Sequence, residues 1–350
     1  MKTSFVSNLA SQNAMRLTIG RAQNEIQKLN TEVVTGRHAD IGLALGAKTT
    51  NSVSLNREVA QLKGIQDSNA LVTQRLSASQ SALAMMSDSA QQMLEALIAV
   101  SGSDDANRLQ VAERDIQSAL GAFTIAANTS ANGEYLFSGI NTNTEPLEDY
   151  QAAGSAPKAA FDASFFGYFG FTQDDPAAAG ITVPQMDDFI TNVLEPAFAG
   201  ADWNTNWSNA SDTNVTSRIL KNEVVESNTN ANSEGMRNFA LAAVIGIELL
   251  DSPISAEVRT AVNASATKYA GKAVTGIDNQ RSELGVSENR VTKANTALES
   301  QLRIITLHLG DVEGVDAYEA STRMNSLLNQ VEASYTLTAR IQQMSLMNYL

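Results

Sequence analysis

The sequence predicts a mainly α fold in which long N- and C-terminal helices pair in a coiled-coil rod, with a smaller mixed α/β or β-containing domain inserted in the middle. Three observations predict it. Apolar residues recur at steps of four and three over long stretches of both flanks, which is the spacing of a helical seam. Five of the six prolines fall between Pro146 and Pro196, and 13 of the 20 aromatic residues fall between Tyr135 and Trp207. The flanks are almost free of proline and rich in Ala, Ser, Asn, Gln and Leu.

The elements follow in chain order. Met15, Ile19, Ala22, Ile26, Leu29 and Val33 alternate steps of four and three without a slip. Val72, Leu76, Ser79, Leu83, Met86, Ala90, Met93, Leu97 and Val100 keep the same rhythm, and a straight helix from Val53 to Val100 would be about 70 Å long at 1.5 Å per residue. Ser101-Gly102-Ser103-Asp104-Asp105 reads as a glycine stop followed by N-cap residues for the next helix. That helix carries Leu109, Ala112, Ile116, Ala119, Phe123 and Ala126. Asn132-Gly133, followed by Glu134-Tyr135-Leu136-Phe137, reads as a hairpin turn feeding a strand. After the middle, a helix beginning near Ser233 ends at Asp251-Ser252-Pro253. Val291, Ala294, Leu298, Leu302, Ile305 and Leu309 resume the seam, and Met324, Leu328, Val331 and Tyr335, then Ile341 and Met344, carry it to the end. The domain organisation expected is 1–40, 41–140, 141–232 (the aromatic-rich insert), 233–310 and 311–350.

Composition narrows the function. With 24 Lys and Arg against 38 Asp and Glu, the chain carries a formal charge of −14, which opposes nucleic-acid and anionic-membrane partners. There is no cysteine, so disulfides, thiolate metal sites and Cys nucleophiles are excluded. The longest apolar stretch, Phe239–Leu250, is too short to span a bilayer and includes Glu248. The first residues lack the apolar core of a cleavable signal peptide.

Gly42–Thr49 resembles a phosphate-binding loop superficially, but Ala47 separates Gly46 from Lys48. Asp202-Trp203-Asn204-Thr205-Asn206 spaces oxygens as a calcium loop does, yet Trp207 stands where glycine is needed. The acidic pairs Asp104-Asp105, Asp174-Asp175 and Asp187-Asp188 suit helix starts and turns better than acid–base chemistry. His38 in a loop and His308 beside the seam read as surface residues. The sequons at Asn206, Asn209, Asn214 and Asn263 have meaning only on a eukaryotic secretory route. The expectation is a non-enzyme with no cofactor, no metal and no catalytic residues. Small residues on the seams and uncharged polar residues on the outer faces suit packing against identical neighbours.

Four stretches resemble a known family. They are Met1–Ser7 leading into Gln12–Leu17, the Val34-Thr35-Gly36-Arg37 turn, the Asn132–Gly139 hairpin, and Ala317–Ser321 with Thr338–Leu350. Together they are similar to the flagellin family of axial proteins, and within it to the hook–filament junction branch of alphaproteobacteria. Ala39–Leu43 departs from the family's usual Asp-Asp element after the first turn.

The resemblance implies a structural adaptor ring joining hook to filament, outside the cell on the flagellum, exported without a cleavable signal peptide. It implies partners: other copies of itself in the ring, the hook-side junction protein, flagellin, and a flagellar export chaperone. The expected assembly interface is Met15, Ile19, Ala22, Ile26, Leu29, Val33, Leu328, Val331, Tyr335, Ile341 and Met344. Alternatives are a bulk filament subunit and, more remotely, a cytoplasmic helical scaffold.

Overall fold

The computed structural model describes residues 8–347, with side chains for residue 10 and residues 13–340. The chain divides into two compact units, one made of residues 1–64 and 297–350, the other of residues 65–296.

The terminal unit contains α1 (Asn8–Thr35), the short α2 (Ile41–Leu45) with a 3₁₀ turn after it, the start of α3 (Thr49–Ala99), the end of α10 (Ala256–Glu313) and α11 (Ala317–Met347). α1 ends at Gly36, which takes φ +67° and closes the helix by donating its N–H to the Glu32 carbonyl at 2.8 Å. Asp40 caps α2 by accepting from Leu43 N–H at 2.9 Å.

The second unit holds the remainder of α3 and α10, together with α4 (Ala106–Ala127), β1 (Ser130–Ala131), β2 (Glu134–Tyr135) and α5 (Ala156–Phe169). Further along come α6 (Val183–Phe189), α7 (Glu195–Ala199), α8 (Ala201–Asn206), β3 (Thr216–Leu220), β4 (Glu223–Glu226) and α9 (Glu234–Leu249). Each seam position read from sequence on α4, and each from Val72 to Leu97 along α3 with Val100 just past its end, is buried. The break between them matches expectation: α3 stops at Ala99, Gly102 takes φ +70°, and Asp105 accepts from Arg108 N–H at 3.0 Å. β1 and β2 form the expected two-residue hairpin, with Asn132 at φ 55° and Gly133 at φ 83°. β3 and β4 form a second antiparallel ribbon.

α9 explains the longest apolar run. It is buried nearly all round, as a core helix must be to hide so uniform a sequence. Phe239 stacks on Phe123 of α4 with ring centroids 3.8 Å apart, and Gly235 lets α9 meet α10 backbone to backbone at Gly276. Among the described residues no helix is long and apolar enough to cross a membrane.

Residues 141–232 share this core with the helices on either side. One continuous cluster joins Leu76, Phe123 and Phe239 to Phe161, Phe189 and Trp203. Trp203 and Trp207 stack at 5.5 Å, and Tyr150 stacks on Trp207 at 5.3 Å. α6 runs into a π-helical turn, Ile190–Leu194, before α7. Pro196, which has no N–H to donate back to a carbonyl, stands just beyond the turn, where the regular ladder has to break. Glu248 of α9 fastens the insert: it accepts from Tyr150 Oη at 2.8 Å, Lys158 Nζ at 2.9 Å and Gln173 Nε2 at 3.1 Å. Burial, and then the Glu248 carboxylate, push the Tyr150 phenol far above its ordinary value.

Candidate assembly surface

α1 and α11 pair in the terminal unit. Three contacts fix the pair as antiparallel, since the partner's number rises as that on the first helix falls. Val315 N–H donates to Gly36 O at 3.0 Å, Gln23 Nε2 to Tyr335 Oη at 3.1 Å, and Thr338 Oγ1 approaches Met15 Sδ at 3.5 Å.

The seam of α1 follows the sequence reading. Ala22 and Leu29 are buried, and Met15, Ile19, Ile26 and Val33 are half-buried. On α11 the inward stripe keeps Met324 and Val331 of that reading and differs from it at Leu328 and Tyr335. It runs Ala320, Met324, Leu327, Val331, Ser334, Thr338, while Leu328 and Tyr335 are 45% and 53% exposed. Leu327 faces inward beside Leu328, two apolar neighbours that spacing alone cannot rank, while Ser334 and Thr338 continue the stripe past Val331, where an apolar pattern cannot register hydroxyls that bond back to their own helix. Both do so, donating to Gln330 O and Ser334 O at 2.7 Å. Ile341 and Met344 lie outside the residues whose side chains are described.

This unit is poor in core. Its buried apolar residues, among those described, are Ala22, Leu29, Leu62, Leu298, Leu309 and Ala320, and none belongs to the cluster that fills the second unit. It also leaves large apolar side chains in solvent on every helix. They include Leu17 and Val34 on α1, Leu43 on α2, Ile304 and Leu307 on α10, and Tyr318 and Leu337 on α11. Scattered exposed apolar residues are ordinary, but here they outnumber the buried ones, which is the composition of a surface meant to be covered.

At the closed end of the pair sits a feature that sequence reading did not find. Glu313 is fully buried, the one carboxylate, ammonium or guanidinium in that state among the described residues. Its Oε2 meets Arg37 Nη1 at 3.1 Å, and its Oε1 accepts from Ser52 Oγ at 2.5 Å and Asn56 Nδ2 at 2.9 Å. The backbones are joined as well: His38 N–H donates to Glu313 O at 3.0 Å, and Arg37 and Gly314 form an antiparallel bridge. Gly314 has to be glycine, since a Cβ there would lie 2.3 Å from Gly310 O. The signal available in the sequence was a carboxylate flanked by Gly310 and Gly314 opposite the Gly36-Arg37 turn, and only the fold brings these together.

The motif-like segments have structural roles. Gly42–Thr49 forms α2, the 3₁₀ turn and the first residue of α3. Asp202–Asn206 is helical, with Trp203 buried and its Nε1 donating to Asn232 Oδ1 at 2.8 Å. Asp105 and Asp175 cap helices. Asp187-Asp188, expected at a start or turn, lies instead inside α6, where Asp188 accepts from Tyr168 Oη and Asn192 Nδ2. His38 sits 3.6 Å from Glu32 in the clasp turn, and His308 is exposed on α10. No group of three or more His, Cys, Asp or Glu able to hold a metal occurs among the described residues.

Comparison with known proteins agrees at both ends. Residues 6–142 match the family model of the bacterial flagellin N-terminal helical region, and residues 267–350 match that of the bacterial flagellin C-terminal helical region. Among curated proteins no match is found. The fold is similar to that of a flagellar hook-associated protein from Vibrio parahaemolyticus, with TM-score 0.53 and 13% identity over 76% of this chain and 97% of that one. It is likewise similar to flagellar hook-associated protein-3 from Legionella pneumophila, with TM-score 0.52 and 11% identity over 74% and 98% of the two chains.

Proposed function

The chain belongs to the bacterial flagellin family, and on that premise we propose that it is a structural, non-enzymatic adaptor whose copies form a ring joining the flagellar hook to the filament. One observation carries the reading. The terminal unit buries few apolar side chains and exposes many, so its stability has to be completed by neighbours: copies of itself around the ring, a hook-side junction protein beneath and flagellin above. The assembly surface is accordingly the α1/α11 pair, with Met15, Ile19, Ala22, Ile26, Leu29, Val33 and Val331 holding the pair and Leu328 and Tyr335 available to neighbours. The place of action is the flagellum outside the cell, reached through the flagellar export apparatus with a dedicated chaperone.

The motifs at both ends support this, as does a fold shared with two hook-associated proteins. A bulk filament subunit is the competing reading. Immunogold labelling of intact flagella with an antibody raised to residues 141–232 separates the two. Label at a single point between hook and filament is expected, and deletion of the gene should leave hooks without filaments and flagellin shed into the medium. Label along the whole filament would overturn the adaptor reading.

A further inference from the structure

The α1/α11 seam has a weakness that its own spacing creates. On α1, a slide of seven residues puts Ala22 in the place of Met15, Leu29 in that of Ala22, Ile26 in that of Ile19 and Val33 in that of Ile26. On α11 the same slide exchanges Met324, Val331 and Thr338, or Ala320, Leu327 and Ser334. Each heptad position therefore meets another seam residue after a shift of about 10 Å, at 1.5 Å per residue. Apolar patterning alone does not choose between such registers, and coiled coils resolve that ambiguity with a buried polar group.

Chain connectivity does not choose either. α11 follows α10 after three residues, 314–316, and its start is fixed. Between α1 and α3, however, lie residues 36–48, which include only the five-residue α2 and a 3₁₀ turn, with no buried residue in either. That segment leaves α1 room to slide.

We propose that the Glu313 clasp is a register lock that admits one antiparallel pairing of α1 with α11. Arg37 is the second residue past the end of α1, and Glu313 is the last residue of α10. The Glu313 carboxylate is removed from water, and its hydrogen bonds are completed only when the turn after α1 lies where Arg37 can reach it. A slid pair would leave that carboxylate with Ser52 and Asn56 alone, and a buried charge without its counter-ion is strongly disfavoured. The bonds from Val315 N–H to Gly36 O and from His38 N–H to Glu313 O would break at the same time. The lock selects among registers that all keep the two seams in contact, which is a separate role from adding stability to the pair.

The absence of cysteine makes the test direct. Two reporters are built in the full chain: Met15→Cys with Thr338→Cys for the register of the fold, and Ala22→Cys with Thr338→Cys for the register slid by one heptad. Each is treated with a short bifunctional thiol cross-linker, with and without Glu313→Leu. The parent should cross-link 15 to 338 and not 22 to 338. Glu313→Leu should lower the first yield several-fold and raise the second, with helix content by circular dichroism unchanged. Arg37→Gln, which leaves Glu313 its two neutral partners, gives the same comparison should the leucine variant misfold, and it should shift the ratio the same way. An unchanged preference for 15–338 in these variants overturns the proposal. So does loss of both cross-links, which means a pair that separates instead of sliding, and so does failure of the parent to cross-link 15 to 338.

Discussion

Replacing Leu29 by Asp should separate the stability of the two units. Leu29 is 3% exposed and is the largest of the terminal unit's buried side chains that α1 supplies. Removing it forfeits about 1.5–3 kcal/mol of apolar burial, and a carboxylate lacking a partner in its place adds roughly 1–3 kcal/mol more. A helix pair with so few buried neighbours cannot absorb a total of about 3–6 kcal/mol, which is a large fraction of a whole domain's stability. The pair should open while the second unit stays folded, because Leu29 lies outside the continuous cluster that fills that unit. Hydrogen exchange read by mass spectrometry should show peptides from residues 13–35 and 317–340 losing protection, with those from residues 72–127 and 234–294 unchanged. The main calorimetric transition should stay in place. Were Leu29 part of the same cooperative unit, the same energy would lower that transition by on the order of 10 °C, and a drop of that size refutes the reasoning. Leu29→Met, nearly equal in volume, should leave both readouts close to the parent.

Three further outcomes follow from the second unit. Gly235→Ala would place a Cβ 2.6 Å from the Gly276 backbone; forcing α9 from α10 should cost about 1–3 kcal/mol and lower the melting temperature by several degrees. Glu113 has its pKa raised above 4.5 by burial and then by Asp251 and Glu248. A carboxylate shifted upward destabilises the fold above its folded pKa and ceases to do so below its unfolded one. Glu113→Gln should therefore raise the melting temperature slightly at neutral pH, by about a degree after allowance for solvent screening, and make no difference at a pH of about 3.5. Excising residues 145–228 removes Phe161, Phe189 and Trp203 from the shared cluster and Tyr150 and Lys158 from Glu248, and the cooperative melt of the second unit should be lost.

Much of this architecture was legible because burial and periodicity coincide. α3 and α4 present their seams at the positions that the spacing named, and the Gly102 stop, the Asp105 cap and the Asn132-Gly133 turn stand where residue chemistry put them. The reading slipped where the seam is built from residues with no apolar signature. Ser334 and Thr338 continue it past Val331 and leave Tyr335 outward, while Leu327 faces in where its apolar neighbour Leu328 fits the spacing equally well. The Glu313 clasp escaped notice for another reason. Its partners Arg37, Ser52 and Asn56 are between 257 and 276 positions away in the chain, and no local pattern carries a contact of that range. The aromatic insert was visible as a composition change, but its sharing of one core with α4 and α9 depends on tertiary contacts such as those of Glu248.

The terminal unit is discontinuous in the chain, and this imposes an order of events. Gln23 and Tyr335 touch although 312 positions separate them, whereas residues 65–296 are contiguous and carry their own core. Closing so long a loop is entropically costly and slow unless its interior has already collapsed. The second unit can therefore form as soon as residue 296 is available, while α1 has no partner until nearly the last residues arrive. A chain emerging from its N-terminus, whether from a ribosome or through a narrow conduit, presents its first helix unpaired for almost the whole transit. The sequence that leads the way is also the last to find its place.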